Sequence, residues 1–330
     1  MFEKVAGTME NPQISIIIPC YNCEALVGET LDSLVAQTCK NFEVVCVNDG
    51  SKDGTAETLE MWKAKSLFPM QVIHQENGGV SHARNAGIMA AKGQYILFLD
   101  ADDCYHKEFV ERLYNALQES RADMSYCMLS RNEDAVKNAV IEGGAWFALQ
   151  QQPEFMRNLL YRMPEFGFYC YLYKADVLRE NGIMFDVNTR HFEDREFNWK
   201  YLCHCQSAAF VGKPLYWYRV NENSVTQNKT VTWKTEDLAA VTRVEVYLQE
   251  HNCAFYRELK SYLFARVLWG KAMRYAVGRR KDLFNKLRAE YDVKSCMRRT
   301  AKDSNKLVAL ASKCYLIHPD LFYYILKLKK

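Results

Sequence analysis

The chain has 330 residues and a mass of 38.4 kDa, enough to bury one sizeable core or a core plus an appendage. Its content, 49% hydrophobic and 25% charged, is an ordinary globular balance, and a net charge of +3 is too small to mark a nucleic-acid binder. Neither a charged-then-apolar leader nor an apolar run of bilayer length stands in the sequence, so a cytoplasmic protein is expected.

The first strand is expected at Ile14 to Ile18, after a polar and loose start over residues 1–12, and Pro19 should end its ladder. Leu26, Leu31, Leu34 and Val35 recur at helical spacing between Glu24 and Gln37, with Asn22 placed as a cap. A second buried strand, Phe42 to Val47, runs into the turn residues Asn48 to Thr55. A helix over 56–65 follows. Met70 to His74 reads as a third strand, and the glycine pair Gly78-Gly79 opens a helix over Val80 to Ala91 whose first amides favour an anion. Arg84 lies about one turn into that helix, where it can reach a phosphate, clamp Asp100 or simply be solvated.

Tyr95 to Leu99 is apolar without alternation, as in a strand buried on both faces, and it ends in Asp100, Asp102 and Asp103. Open α/β sheets bind ligands at the carboxyl ends of their strands. An aspartate pair one residue apart can hold a hard divalent cation there, and the cation in turn phosphates. The plain alternative is that Asp102 and Asp103 cap a helix over Tyr105 to Leu117. The order β-α-β-α-β-α-β predicts an α/β fold with a mostly parallel sheet and right-handed crossovers.

The second half is less patterned. Asp123 to Met128 suits a strand, and Ala135 to Gln150 is apolar with Gly143-Gly144 inside it. The Phe- and Tyr-rich stretch Pro164 to Lys174 suits core better than a sugar platform. Glu193-Asp194 heads a helix with Phe197, Tyr201 and Leu202 on its apolar side; the acids either do chemistry or answer the helix dipole. From Trp233 onward only helices are expected, with Leu259, Leu263, Val267 and Leu268 on one face and Arg266, Lys271, Arg274, Arg279, Arg280 and Lys281 on a basic one. Lys306 to Lys330 is a basic amphipathic tail with aromatics, which reads as a membrane-surface contact or as helices packed on the first domain.

Twelve scattered cysteines, among them Cys46, Cys127 and Cys170 within apolar runs, read as free thiols. Cys20-x-x-Cys23 with Cys203-His204-Cys205 lacks the paired knuckles of a zinc site and the sequence context of a redox pair.

Four segments in order, Ile18-Pro19-Cys20-Tyr21-Asn22, Val47-Asn48-Asp49-Gly50-Ser51, Asn77-Gly78-Gly79 with Ala83-Arg84-Asn85, and Phe98-Leu99-Asp100-Ala101-Asp102-Asp103, together resemble a family-2 glycosyltransferase of the GT-A fold, of the type that builds bacterial surface polysaccharide. The resemblance covers residues 14 to about 117 strongly and reaches about 226 more weakly. It implies a domain over 1–226, with a donor half at about 14–117 and an acceptor half at about 118–226, followed by a helical region over 227–330. It also implies transfer from a nucleotide-sugar, UDP-linked by expectation, to a glycan or lipid-linked glycan hydroxyl, with Mn²⁺ or Mg²⁺ as cofactor.

Residue by residue, the resemblance places Pro19, Tyr21, Asn22, Asp49, Asn77, Gly79, Arg84, Asp100 and Ala101 at the donor, and the metal on Asp102 and Asp100. Asp194 becomes the general base of an inverting transfer and Glu193 positions the acceptor. Tyr216-Trp217-Tyr218-Arg219 with Ser224-Val225-Thr226 resembles the segment that closes such domains. A nucleotidyltransferase of related fold would carry a Gly-rich basic loop where Pro19 to Asn22 stand, a dehydrogenase would carry G-x-G-x-x-G, and a silent scaffold would not need aspartates at 100, 102 and 194.

Overall fold

The computed structural model describes residues 12–140, 146–161, 167–220, 231–303 and 305–328. Gly143, Gly144, Pro164 and Ser224-Val225-Thr226 lie outside them. The chain divides into two compact units, residues 1–155 with 162–220 and residues 156–161 with 221–330.

The first unit follows the anticipated strand-helix alternation: β1 (Ile14–Cys20), α1 (Val27–Val35), β2 (Phe42–Asp49), α2 (Thr55–Lys65), β3 (Met70–Gln75), α3 (Val80–Ala90) and β4 (Tyr95–Phe98). Then come β5 (Cys104–Tyr105), α4 (Phe109–Ser120), β6 (Met124–Ser130), α5 (Glu133–Lys137), β7 (Ala148–Gln151), α6 (Glu154–Tyr161), whose residues 156–161 belong to the second unit, β8 (Tyr171–Lys174), α7 (Ala175–Glu180), α8 (Glu193–Leu202) and β9 (Ser207–Trp217). The strands form one mixed sheet in the order β3-β2-β1-β4-β8-β6-β9-β5, with β7 on β9. β3, β2, β1 and β4 are parallel, and β8 joins β4 antiparallel.

Three local expectations are corrected. Pro19 does not end β1, which runs on through Cys20. The ladder with β4 stops at Ile17 while that with β2 continues, so Pro19 sits where one side of the strand is already free and its missing donor costs little. Asn22 does not cap α1, whose N-cap is Leu26; with φ of 49° it turns left-handed instead. Its amide donates to Ser51 Oγ at 3.0 Å and its Oδ1 accepts from Lys52 N at 2.8 Å, which ties the loop after β1 to the loop after β2. Finally, the helix after the aspartates starts at Phe109, with no side-chain cap. Cys104 and Tyr105 pair instead with Trp217 and Tyr216 of β9, so Asp102 and Asp103 are not helix caps.

Two packing features aim the ends of these elements at one another. At Gly87 an added Cβ would stand 2.3 Å from Ile17 Cγ2, so the missing side chain lets α3 lie close on β1. Around Phe98 at the end of β4, the rings of Phe168, Tyr173, Phe185 and Phe197 meet at centroid distances of 5.4, 5.6, 5.4 and 5.6 Å. Phe185 and Phe197 stack at 4.1 Å. Phe197 belongs to α8, so this aromatic cluster fixes the head of α8 against the carboxyl end of β4. The aromatic stretch that leads into and forms β8 is therefore core at Phe168, Tyr171 and Tyr173, all buried.

The second unit holds α9 (Glu236–Glu250), α10 (Tyr256–Val277), α11 (Lys281–Glu290), α12 (Val293–Thr300), α13 (Lys306–Ile317) and α14 (Pro319–Lys327), with no strand among its described residues. Its core gathers Leu268, Ala272, Tyr275, Phe284, Leu287, Met297, Tyr315 and Phe322. The basic face expected on α10 and α11 is largely spent internally. Lys271 pairs with Asp237 at 2.7 Å, Arg266 with Asp303 at 3.5 Å, Arg280 with Asp282 at 2.6 Å, and Lys281 with Asp320.

Gly87→Ala is expected to overpack the α3–β1 contact and cost about 1–3 kcal/mol. Urea unfolding measures it, and an unchanged midpoint would show that α3 has room to shift.

Candidate active site

Three strand ends and two helix starts build the site. At the end of β2, Asp49 accepts from Gly78 N at 2.9 Å, Gly79 N at 2.8 Å and Gln75 Nε2 at 2.7 Å. Asn77 Nδ2 donates back to the Asp49 carbonyl at 3.0 Å. Gly79 has φ of 90°, which only glycine adopts cheaply, and it caps α3. The expected bare amides are thus taken at Gly78 and Gly79. The first bond inside α3 is Ala83 N to Gly79 O at 3.1 Å, so the helix presents Val80, Ser81 and His82 ahead of it.

Arg84 is the centre of the arrangement. It is buried, so the solvated reading of this arginine fails. Its Nη2 meets Asp100 Oδ1 at 2.9 Å and its Nη1 lies 3.5 Å from Glu193 Oε1. Its guanidinium carbon lies 4.4 Å from the Phe168 ring centroid and 5.3 Å from that of Phe185. Burial works against the charge, but the carboxylates of Asp100 and Glu193 more than offset it and raise the arginine pKa. Nε and Nη1 have no hydrogen-bond partner among the described residues. One side chain from α3 thereby joins the aspartates after β4 to the acidic head of α8, segments about a hundred positions apart in sequence. Asn85, the next residue, holds the chain before α8 through both sides of its amide, to Phe185 O at 2.8 Å and from Phe185 N at 2.9 Å.

The aspartate run divides its labour. Asp103 is buried and accepts from Tyr216 OH at 2.6 Å and Arg219 N at 2.8 Å, while Asp100 N donates to Tyr216 OH at 3.4 Å. Arg219 also reaches Glu29 at 2.5 Å and Cys104 Sγ at 3.5 Å. Thr30 Oγ1 donates to the Ala101 carbonyl at 2.9 Å. The loop after β4 is therefore pinned by α1 and by the end of β9. Burial and the neighbouring Asp100 both raise the pKa of Asp102 and of Asp103.

That strain is the test of whether a cation fits. Asp102 lies partly buried beside a second carboxylate, and a bound cation would relieve the repulsion that now opposes its charge. Among the described residues no group of three His, Cys, Asp or Glu side chains could hold a metal unaided. A hard cation completed by water and phosphate oxygens suits a two-aspartate site.

Tyr21 is 48% exposed at the mouth of the β1 loop. At the head of α8, Asp194 Oδ1 accepts from Arg195 N at 2.7 Å. Reasoning from sequence passed over Asp103, Tyr216, Arg219, Glu29, Gln75 and the Phe168–Phe185 pair as parts of one construction. The third aspartate was visible, but its partners, Tyr216 on β9 and Arg219 just past it, stand 113 and 116 positions away. The thiols of Cys20 and Cys23 are buried and their pKa is raised.

Burial, and then Asp194, push the Glu193 carboxyl up from its ordinary 4.5 to about 7, against the opposing pull of Arg84. A raised carboxyl pKa favours the folded protein fully below about 4.5, and that stability is lost as pH climbs to about 7. Glu193→Gln is therefore expected to gain melting temperature relative to the unaltered protein between pH 5 and pH 8. A constant difference, followed by differential scanning fluorimetry, would contradict the burial of this acid.

The match to the model of Glycosyl transferase family 2 spans residues 15–182. The chain is 34% identical to the glycosyltransferase EpsJ of Bacillus subtilis (strain 168) over 219 residues, 66% of this chain and 63% of that protein, so it spans less than two thirds of that relative. Among solved structures it is similar to residues 1–349 of S. aureus TarS in complex with UDP-GlcNAc, with TM-score 0.68 and 19% identity over 96% of this chain and 90% of that one. It is also similar to the mannosyltransferase PcManGT of Pyrobaculum calidifontis in complex with GDP-Man and Mn²⁺, with TM-score 0.56 and 14% identity over 97% and 88%. These structures share the GT-A-like α/β sheet, and the family match covers both the aspartate run and the loop of Asp49. The chain belongs to glycosyl transferase family 2.

Proposed function

We propose that the chain is a metal-dependent, inverting glycosyltransferase. It moves a hexosyl or N-acetylhexosaminyl group from a nucleotide-sugar, UDP-linked, to a hydroxyl of a glycan or lipid-linked glycan in surface polysaccharide synthesis, on the cytoplasmic side of a membrane. The observation that carries this reading is Arg84, which brings the aspartates after β4 and the acids at the head of α8 to one guanidinium. A donor diphosphate and an acceptor hydroxyl need that adjacency.

The base of the nucleotide lies in this reading among Pro19, Tyr21, Asn22 and Asp49. Asn77 and Gly79 shape that floor from behind, because their polar groups are already given to Asp49. Asp100 and Ala101 line the sugar-phosphate portion, and Arg84 with the start of α3 faces its negative charge. Asp102 and Asp100 would hold Mn²⁺ or Mg²⁺, which would supply Lewis acidity toward the negative charge of the leaving diphosphate. The Mn²⁺ of PcManGT and the UDP-sugar of TarS support these choices of cofactor and donor.

Asp194 takes the proton from the acceptor hydroxyl as the oxygen attacks the anomeric carbon from the face opposite the diphosphate. The C–O bond to the acceptor forms, the bond to the diphosphate breaks, and configuration inverts without a covalent enzyme intermediate. Glu193, tied to Arg84, orients the acceptor and holds the head of α8 in register with the donor.

Incubation with a panel of UDP- and GDP-sugars, reading release of free nucleoside diphosphate with and without chelator, tests the reading. Metal-dependent release of UDP is expected; no release from any donor would leave a scaffold that kept the fold. Asp194→Asn is expected to retain donor binding by calorimetry and lose about 10²–10⁴-fold in turnover. Near-normal turnover would remove the base assignment. Asp102→Asn is expected to raise the metal concentration needed for half activity by tenfold or more, and an unchanged requirement would move the metal elsewhere.

A further inference from the structure

Helices α13 and α14 each carry two apolar faces, and the second unit uses only one of them. On α13, Val308, Ser312 and Tyr315 are buried. Leu307, Leu310 and Ile317 are instead 72%, 60% and 77% exposed. At the helical turn per residue these three fall within an arc of about 80° on the side away from the core. On α14, Phe322 and Tyr323 are buried while Leu321, Tyr324 and Ile325 are exposed, followed by the exposed Leu328 just past the helix end. On each helix the exposed apolar residues share one side, which scattered surface apolars would not do.

Its charges have one sign. Lys306 and Lys313 are exposed and border the apolar arc of α13, and Lys327 lies beside that of α14. The one acid between residues 306 and 328 is Asp320, and it is engaged by Lys281 and, at 3.8 Å, by Arg288. Elsewhere in this unit Arg266, Lys271, Arg280 and Lys281 have carboxylate partners.

We propose that this face docks on an anionic lipid surface. A second copy meeting it symmetrically would set lysine against lysine with no free carboxylate to answer. An anionic headgroup layer supplies the missing charge, its acyl boundary takes the leucines and isoleucines, and Tyr324 sits at headgroup depth. No helix among the described residues is long and apolar enough to cross a membrane, so the helices lie on the surface. The inference rests on the membrane-side placement only for its biological sense; its geometry is independent of the transfer reaction.

Co-sedimentation of the full chain with vesicles of phosphatidylcholine alone, or mixed with phosphatidylglycerol, tests it. Binding to the mixed vesicles is expected to exceed binding to the neutral ones and to weaken in high salt. Lys306→Glu with Lys313→Glu is expected to reduce it by at least fivefold per lysine, about 1 kcal/mol each near an anionic surface. Leu310→Ser with Ile317→Ser and Ile325→Ser is expected to abolish it at unchanged helicity and melting temperature. Failure of the unaltered chain to bind the mixed vesicles would overturn the proposal, as would binding that neither variant weakens. A lipid-free dimer that the serine variant dissociates, without vesicle binding, would assign the face to a second copy instead. Loss of vesicle binding with retained UDP-sugar turnover separates this proposal from the catalytic one.

Discussion

The site depends on one buried cation between two anionic elements. Arg84 lies where the carboxyl end of β4 and the head of α8 approach, and without a positive charge there Asp100, Glu193 and Asp194 would crowd together in a poorly solvated space. A buried ion pair is weak evidence for stability, because desolvation costs about what attraction returns. Its value here is positional. The planar guanidinium, held against Phe168 and facing Phe185, fixes the distance and orientation of two segments that share no backbone pairing.

The same logic explains why the aspartate run is rigid. Asp103 is not available to a ligand, since it holds Tyr216 and the Arg219 amide. Through those bonds the loop after β4 is fastened to β9, and Thr30 fastens it to α1. Asp102 is left as the carboxylate of the run with no side-chain hydrogen bond among the described residues, beside an Asp100 already shared with Arg84. In the proposed reaction, a site that grips and then releases a charged diphosphate benefits from a preset cradle, because reorganisation would weaken its electrostatic effect.

Much of this was legible in the sequence because the relevant patterns are local. Non-alternating strands at Ile14, Phe42 and Tyr95, each ending in polar or turn residues, announced a parallel sheet. The Asp100 to Asp103 cluster marked the strand end at which Arg84 and Tyr216 converge. What stayed hidden was nonlocal. Nothing around Asn22 shows that it locks two loops rather than capping a helix, since both roles use the same short amide. The strand β9 was not read, because Gly212, Lys213 and Pro214 interrupt its apolar alternation, and the structure accommodates them with a shifted register against β6. The pairing of the basic stripe on α10 and α11 was not visible in the local pattern because its partners, Asp237, Asp303 and Asp320, come from α9, from the segment between α12 and α13, and from α14.

The most direct test of the central claim is a double-mutant cycle on Arg84→Met and Glu193→Gln, read as unfolding free energy at pH 8. If the guanidinium couples the two halves of the site, the effects should depart from additivity by about 0.5–3 kcal/mol. Sums that agree within about 0.3–0.5 kcal/mol would mean the arginine serves Asp100 alone and the head of α8 is placed by its aromatic neighbours.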